Sequence, residues 1–299
     1  MKTSIQNLNN NKQTLTTKTT TMKTLTLTMT SLFLSVLMIF TSCSKNQEMI
    51  NPTQPNDVLS QEFLTDLENM SYEYTTDQGQ RIWPIVGRVV ACDAIGGLFT
   101  YMSDNNSSWE DIGWGAAGFS LSYVCGAAKV SVTSDSLPIC SIPWFNDISK
   151  YVELTNPNSK NYMEKIGMLH NDYVPEILLT WAKDNKGLYN AMCVESNSKD
   201  LISKKDFNST AYSFSKCKGE QDFIKFINNS TFPKATKLIL SNYITVMFNA
   251  KSIAAFQNYS VNVENMVVAH KGLKKETKDG LLLTMSVAKH SANLWNSVL

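Results

Sequence analysis

Ile85-Val-Gly-Arg-Val-Val-Ala-Cys-Asp-Ala-Ile-Gly-Gly-Leu-Phe-Thr-Tyr-Met102 and, after a polar break, Trp109-Glu-Asp-Ile-Gly-Trp-Gly-Ala-Ala-Gly-Phe-Ser-Leu-Ser-Tyr-Val-Cys-Gly-Ala-Ala-Lys129 decide the fold. Pro84 suits the first turn of a helix, where its missing N–H has no partner to lose. Ser103-Asp-Asn-Asn-Ser107 is turn chemistry, and Ser107 or Ser108 then offers an N-cap with Glu110 or Asp111 three residues on as its capping-box partner. Glycines and alanines recur at three- and four-residue intervals in both runs. Such spacing lets two helix backbones approach closely, so a tight helical hairpin is expected.

Outward from the hairpin, helical periodicity continues. Residues 60–70 carry Phe63, Leu64 and Leu67 on one face. Residues 130–148 contain Pro138 and Pro143 and read as loop with at most a short strand. A helix is expected from Ser159 to Asn171, with Pro175 either kinking it or opening a new one through Trp181. Amphipathic segments follow at 187–203, 219–228, 233–256, 258–271 and 275–297, and Gly272 fits a helix end. The expected fold class is mainly α, with few or no strands, and one globular helical domain over residues 59–299.

The N-terminus has a different character. Residues 1–21 are a Thr/Asn/Gln/Lys tract without apolar periodicity, which suggests that translation starts at Met22. Met22-Lys23 then precedes an apolar run ending in Phe40-Thr-Ser-Cys43, the pattern of a signal peptide over residues 1–42. Its apolar core, Leu32 to Phe40, is far shorter than the roughly 20 residues that cross a bilayer, and no other stretch is expected to reach that length. Residues 43–58 are polar, contain Pro52 and Pro55, and read as a tether.

Phe40-Thr-Ser-Cys43 resembles the lipobox of bacterial lipoproteins, with Phe40 where Leu is commonest. The resemblance implies that Cys43 is acylated and becomes the mature N-terminus. Two or three acyl chains, at about 0.8 kcal/mol per buried methylene, give stable anchoring where one chain is marginal. Four of the 27 Lys and Arg precede Cys43 and none of the 26 Asp and Glu does, which leaves the mature chain at a net charge of −3. That balance argues against a nucleic-acid or anionic-membrane binder. Cys92, Cys125, Cys140, Cys193 and Cys217 remain, an odd number whose pairing spacing cannot assign.

Chemical motifs are few. Gly113-Trp-Gly115-Ala-Ala-Gly118 matches the dinucleotide fingerprint in form, but it lacks the preceding buried strand and lies inside a helix. Gly118-Phe-Ser120-Leu-Ser122 stops one residue type short of a nucleophile elbow. No paired Cys/His spacing points to a metal site, and no cofactor is expected. The polar candidates are Asp93, set in an apolar helix and needing a partner such as Arg88 or a donor on another helix, and Glu164, His170 and Asn171. These four either hold a ligand or form a buried network that fixes helix register; the network is the favoured reading.

Ile166-Gly-Met-Leu-His170-Asn171, Asp93 with Gly96-Gly97, and Ser286-Val-Ala-Lys-His-Ser291 to Trp295 resemble features of lipoproteins of Bacteroidota-type bacteria, a resemblance that implies no particular activity. Within such bacteria Asp135-Ser136-Leu137 is similar to an O-glycosylation acceptor at Ser136. The combined expectation is a lipid-anchored cell-envelope protein, more consistent with the outer membrane than the inner one, acting as a binding or structural module rather than an enzyme. Its membrane partner is engaged through lipid on Cys43, and its protein or small-molecule partner is unspecified. The alternatives are an envelope hydrolase using Asp93, Glu164 or His170, and a membrane-active protein, since the hairpin at 85–128 resembles those of some bacteriocins.

Overall fold

The computed structural model describes residues 56–75, 84–103, 107–124, 157–184, 187–196 and 201–298. The chain divides into two units, Met1–Thr53 and Gln54–Leu299, and every described residue belongs to the second. Cys43 and Ser136, the tether up to residue 55, the segment 130–148, and Cys125 and Cys140 lie outside the described residues. Ten helices and no strand are found among the described residues, so the fold is mainly α.

In chain order they are α1 (Gln61–Tyr74), α2 (Pro84–Ser103), α3 (Trp109–Val124), α4 (Glu164–Asp184), α5 (Leu188–Ser196), α6 (Lys204–Lys216), α7 (Glu220–Asn229), α8 (Lys234–Asn249), α9 (Ile253–Ala269) and α10 (Lys275–Val298). The centre is a closed ring in which α2 packs on α3, α3 on α4, α4 on α10 and α10 back on α2. Around it, α9 covers α10, α5 covers α3 and α4, α6 and α7 follow each other beside α3 and α8, and α1 rests on α8 and α9.

The hairpin forms as its composition demands. Every residue from Val89 to Leu98 and from Ile112 to Ser122 is buried. A helix apolar on all sides must be enclosed by protein or by lipid, and here the bundle encloses it. A Cβ on Gly96 would fall 2.5 Å from the Phe119 ring, and one on Gly115 would overlap the Thr100 side chain. The capping box is made by Ser108 and Asp111: the Asp111 amide donates to Ser108 Oγ at 3.1 Å and the Ser108 amide to Asp111 Oδ2 at 3.2 Å.

Several boundaries differ from expectation, each with a local cause. Helix α4 starts at Glu164, because the Asn161 side chain accepts from the Met163 amide at 2.9 Å and donates to the Leu282 carbonyl at 3.1 Å, turning the chain first. Pro175 then lies inside this one helix. The sequence reading missed α6, whose polar composition conceals Phe207, Thr210, Ala211 and Phe214 on one buried face and whose start is capped by Ser203. A break after Asn249, where the Lys251 amide donates to the Tyr74 carbonyl at 3.1 Å and Ser252 caps α9, replaces the expected helix over 233–256.

The expectation that no further stretch reaches spanning length is also corrected. Ile85–Ser103 is long and apolar enough to cross a membrane by length and composition, although 72% of that window is buried inside the bundle. Its glycines and Arg88 and Asp93 interrupt any contiguous apolar run, while its mean hydropathy of 1.4 stays high.

Candidate functional site

Three of the four ring helices send polar side chains into the interior, and α9 adds a fourth set. Asp93 comes from the middle of α2, Glu164, His170 and Asn171 from α4, Ser286, Lys289, His290, Ser291 and Trp295 from α10, and Glu264 from α9. On α10 the i, i+4 spacing of Ser291 and Trp295 aims both at α2, while Lys289 and His290 turn toward α9 and α4.

The first cluster centres on Asp93. Its Oδ2 accepts from Trp295 Nε1 at 2.9 Å and from the Ser291 hydroxyl, and its Oδ1 faces His170 Nε2 at 3.3 Å. That last approach is a charge contact without hydrogen-bond alignment, since neither atom completes a hydrogen bond. The other ring nitrogen of His170, Nδ1, donates to Asn171 Oδ1 at 2.9 Å, and Asn171 Nδ2 donates to the His290 carbonyl at 3.0 Å. Asp93 and His170 are wholly inaccessible. Burial alone would depress the His170 pKa, but the close Asp93 carboxylate, together with the bond to Asn171, outweighs it and raises it. The imidazolium form is thus favoured, with an oxygen facing each ring nitrogen.

The second cluster joins α4, α9 and α10. Lys289 Nζ, with no exposed surface, donates to Glu164 Oε2 at 2.9 Å and to Glu264 Oε2 at 3.0 Å. His290 Nε2 lies 3.0 Å from Glu164 Oε1, and Asn158 Nδ2 donates to Glu264 Oε2 at 2.7 Å. The two carboxyls respond in opposite directions. Burial raises Glu264, and the neighbouring Glu164 charge adds to that rise against the opposing pull of Lys289 and Asn158. For Glu164 burial is again the largest influence, but the His290 and Lys289 contacts together exceed it and lower the pKa. Lys289 therefore pairs with an ionised Glu164 and with a Glu264 that holds its proton more tightly than a free carboxyl.

Between the clusters, α4 and α10 almost touch. The Gly167 amide donates to Ser286 Oγ at 3.2 Å, and Ser286 Oγ donates to the Glu164 carbonyl at 2.9 Å. A Cβ at Gly167 would fall 2.5 Å from the Ser286 carbonyl oxygen. Ser286 thereby serves the first turn of α4 from another helix, satisfying an amide that an isolated helix leaves free.

The structure brings Asp93, His170 and Asn171 together and places Glu164 in the adjoining cluster. The sequence reading missed Lys289, His290, Ser291, Trp295, Glu264, Asn158 and Ser286, although 286–295 stood out there as a pattern. The signal available was a lysine and a histidine in a segment from Leu281 to Trp295 that carries no other ionisable side chain, since a buried charge requires a partner.

Chemically, the arrangement is suited to holding helices. In a nucleophilic triad the histidine lies between serine and carboxylate; here Asp93 lies between Ser291 and His170. The hydroxyls of Ser120 and Ser122 donate to the carbonyls of Ala117 and Phe119 in their own helix. Gly113, Gly115 and Gly118 sit within α3 against Tyr173, Thr100 and Met192, as glycines used for close packing. Among the described residues no group of three or more His, Cys, Asp and Glu is arranged to hold a metal ion, and Cys92, Cys193 and Cys217 are free thiols. Against protein-family models, curated proteins and solved structures alike, the chain gives no match.

Proposed function

We propose that the protein is a lipid-anchored module of the cell envelope whose helical domain works by binding or by scaffolding rather than by catalysis. The anchor rests on the Phe40-Thr-Ser-Cys43 pattern and its preceding apolar run. The non-catalytic reading rests on one observation: Asp93 and His170, the most reactive-looking pair among the described residues, are fully enclosed and engaged with each other and with Asn171 and α10. A hydrolase must admit water and substrate to its acid and base, and enclosed ion pairs instead stabilise one helix arrangement. Metabolic labelling with an alkyne-tagged fatty acid tests the anchor. Label and membrane association are expected for the native chain and absent for Cys43→Ala; a Cys43→Ala chain that keeps the label contradicts it.

A second reading has one observation in its favour. Ile85–Ser103 has the length and hydropathy of a membrane span and is paired with α3, buried from Ile112 to Ser122. Release of the hairpin would expose a candidate inserting element, at the cost of carrying Asp93 into hydrocarbon. Dye release from loaded vesicles at neutral and acidic pH supports this reading; none at either pH removes it.

A further inference from the structure

A pocket of about 100 Å³ opens away from the ring interior, between the C-terminal end of α2 and the first turns of α8 and α10. Leu98, Met102, Pro233 and the Cβ-free backbone of Gly280 form its apolar walls, and Tyr101, Thr236, Thr277 and Glu276 add polar groups. A side chain at Gly280 would close in on Leu98, since its Cβ would lie 2.9 Å from Leu98 Cδ1. Thr236 and Thr277 are only 2% and 5% exposed, yet neither hydroxyl has a hydrogen-bond partner among the described residues. Both residues line the cavity, so their hydroxyls are free to hydrogen-bond a polar group that enters it.

The sign of that group follows from the surrounding charge. Glu276 stands exposed at the rim, and Asp279, one turn further along α10, lies close behind Tyr101. Burial first, then Asp279 and Glu276, push the Tyr101 phenol up to about 12, so the wall of the pocket feels a negative field and the phenol stays protonated. Lys275 is engaged by Asp279 at 2.5 Å and points into solvent. The first turns of α8 and α10 carry a partial positive charge of their own, and Glu276, in the first turn of α10, places a full carboxylate against it at the rim.

We propose that this pocket binds a small ammonium group carried on a short hydroxylated chain, with Glu276 as counter-charge, the Tyr101 ring and Met102 against the carbon atoms, and the two threonine hydroxyls as hydrogen-bond partners. The volume suits a headgroup-sized fragment and not a whole drug-sized ligand. Free amines and ethanolamine lipid headgroups share this chemistry. The headgroup source rests on the proposed anchor and has a geometric basis: Asp57 and Val58, at the start of the domain, are bound to the turn that leads into α10, whose first turns line the pocket. Asp57 Oδ1 accepts from the Lys274 amide at 2.9 Å, and the Val58 amide donates to the Gly272 carbonyl at 3.2 Å. Asp57 follows Cys43 by 14 residues, a stretch of chain that can reach at most about 50 Å.

The test is ¹³C-methionine methyl NMR on the full mature chain as the cell makes it, in detergent if it carries lipid, titrated with ethanolamine hydrochloride. The Met102 methyl is expected to shift and saturate in the millimolar range, with ethanol and sodium acetate leaving it in place. Glu276→Gln and Thr277→Val are expected to weaken binding roughly tenfold, about 1.4 kcal/mol. No shift at about 100 mM ethanolamine, an equal response to acetate, or unchanged binding in both variants overturns the proposal. Bilayer discs with ethanolamine phospholipid, compared with discs of glycerol phospholipid, separate the sources: a shift with the former assigns a headgroup, a shift with free ethanolamine alone a free amine. Absence of fatty-acid label on a chain that still answers ethanolamine defeats the anchor and leaves the pocket standing.

Discussion

Two seams in the ring both use glycine for a close approach and are held by opposite chemistry. Between α2 and α3 the approach is made by Gly96, Gly97, Gly115 and Ala116, with Phe119 and Thr100 filling the spaces that missing Cβ atoms leave. Between α4 and α10 one glycine, Gly167, opens the approach, and Ser286, His290 and Lys289 bond across it to Glu164. Shape alone holds the first seam, where a few tenths of an ångström are tolerated at modest cost. The second is held by buried charges, for which losing one partner is expensive because the other is left in low dielectric.

The largest effect is therefore expected in the polar seam. Lys289→Ala leaves two buried carboxylates without their shared cation and should cost about 3–5 kcal/mol, read from urea unfolding. If the loss is under about 1 kcal/mol, the two seams do not differ in kind.

Next in size come the glycines, and here the seams should separate by rescue. Gly96→Ala is expected to cost about 1–3 kcal/mol through collision with Phe119, and Phe119→Leu in the same chain should recover part of it, because a side chain can yield. Gly167→Ala meets the Ser286 backbone oxygen at 2.5 Å as well as Ser286 Oγ and His290 Cδ2 at 2.6 Å, so Ser286→Ala, which removes only the hydroxyl, should recover a smaller share. Equal recovery in both pairs would erase the distinction.

Trp295→Phe keeps most of the packing volume and removes one donor to Asp93, for an expected loss of about 1–3 kcal/mol. Equal stability of the variant would mean that Asp93 has solvent in place of the indole.

The pH response is a finer probe. His170 is raised from 6.5 in the folded chain, so its contribution is complete below that value and is lost as pH rises through the folded-state pKa. Glu164 is lowered from 4.5, so its contribution holds above that value and is lost as pH falls. Glu264, raised from 4.5, acts in the reverse sense, its contribution declining as pH rises through its folded value. Urea midpoints across about pH 5 to 9 should fall on the alkaline side for the native chain and fall less in His170→Gln, which leaves only the Glu264 part; an unchanged alkaline limb contradicts the assignment.

The smallest effect belongs to the surface. Lys165 and Glu110, 4.0 Å apart and more than half exposed, join α4 to α3, and Glu110→Gln should change stability by less than about 1 kcal/mol.

The same contrast explains what the sequence disclosed. The α2–α3 seam was legible because its signal is local: glycine and alanine spacing within two adjacent segments needs no knowledge of distant partners. The Ser108–Asp111 capping box was legible for the same reason. The α4–α10 seam was half legible. Asp93, Glu164, His170 and Asn171 stood out as polar groups in apolar surroundings, but the α10 partners of Glu164 lie 122 to 126 residues away and those of Asp93 198 to 202. No local pattern encodes such a pairing. Helix α6 was missed because its four buried positions are scattered among lysines and serines, leaving the Ser203 cap as the clearer sign. The break at 250–252 was missed because it is set by pairing with Tyr74 and Thr75, outside the segment.

The most direct test is ¹⁵N NMR of the histidine rings near neutral pH. The account predicts that His170 carries protons on both ring nitrogens and that these exchange with water only when the domain opens, as an enclosed imidazolium between Asp93 and Asn171 requires. A neutral His170 ring whose proton exchanges rapidly with solvent would contradict it and reopen the Asp93–His170 pair as a catalytic site.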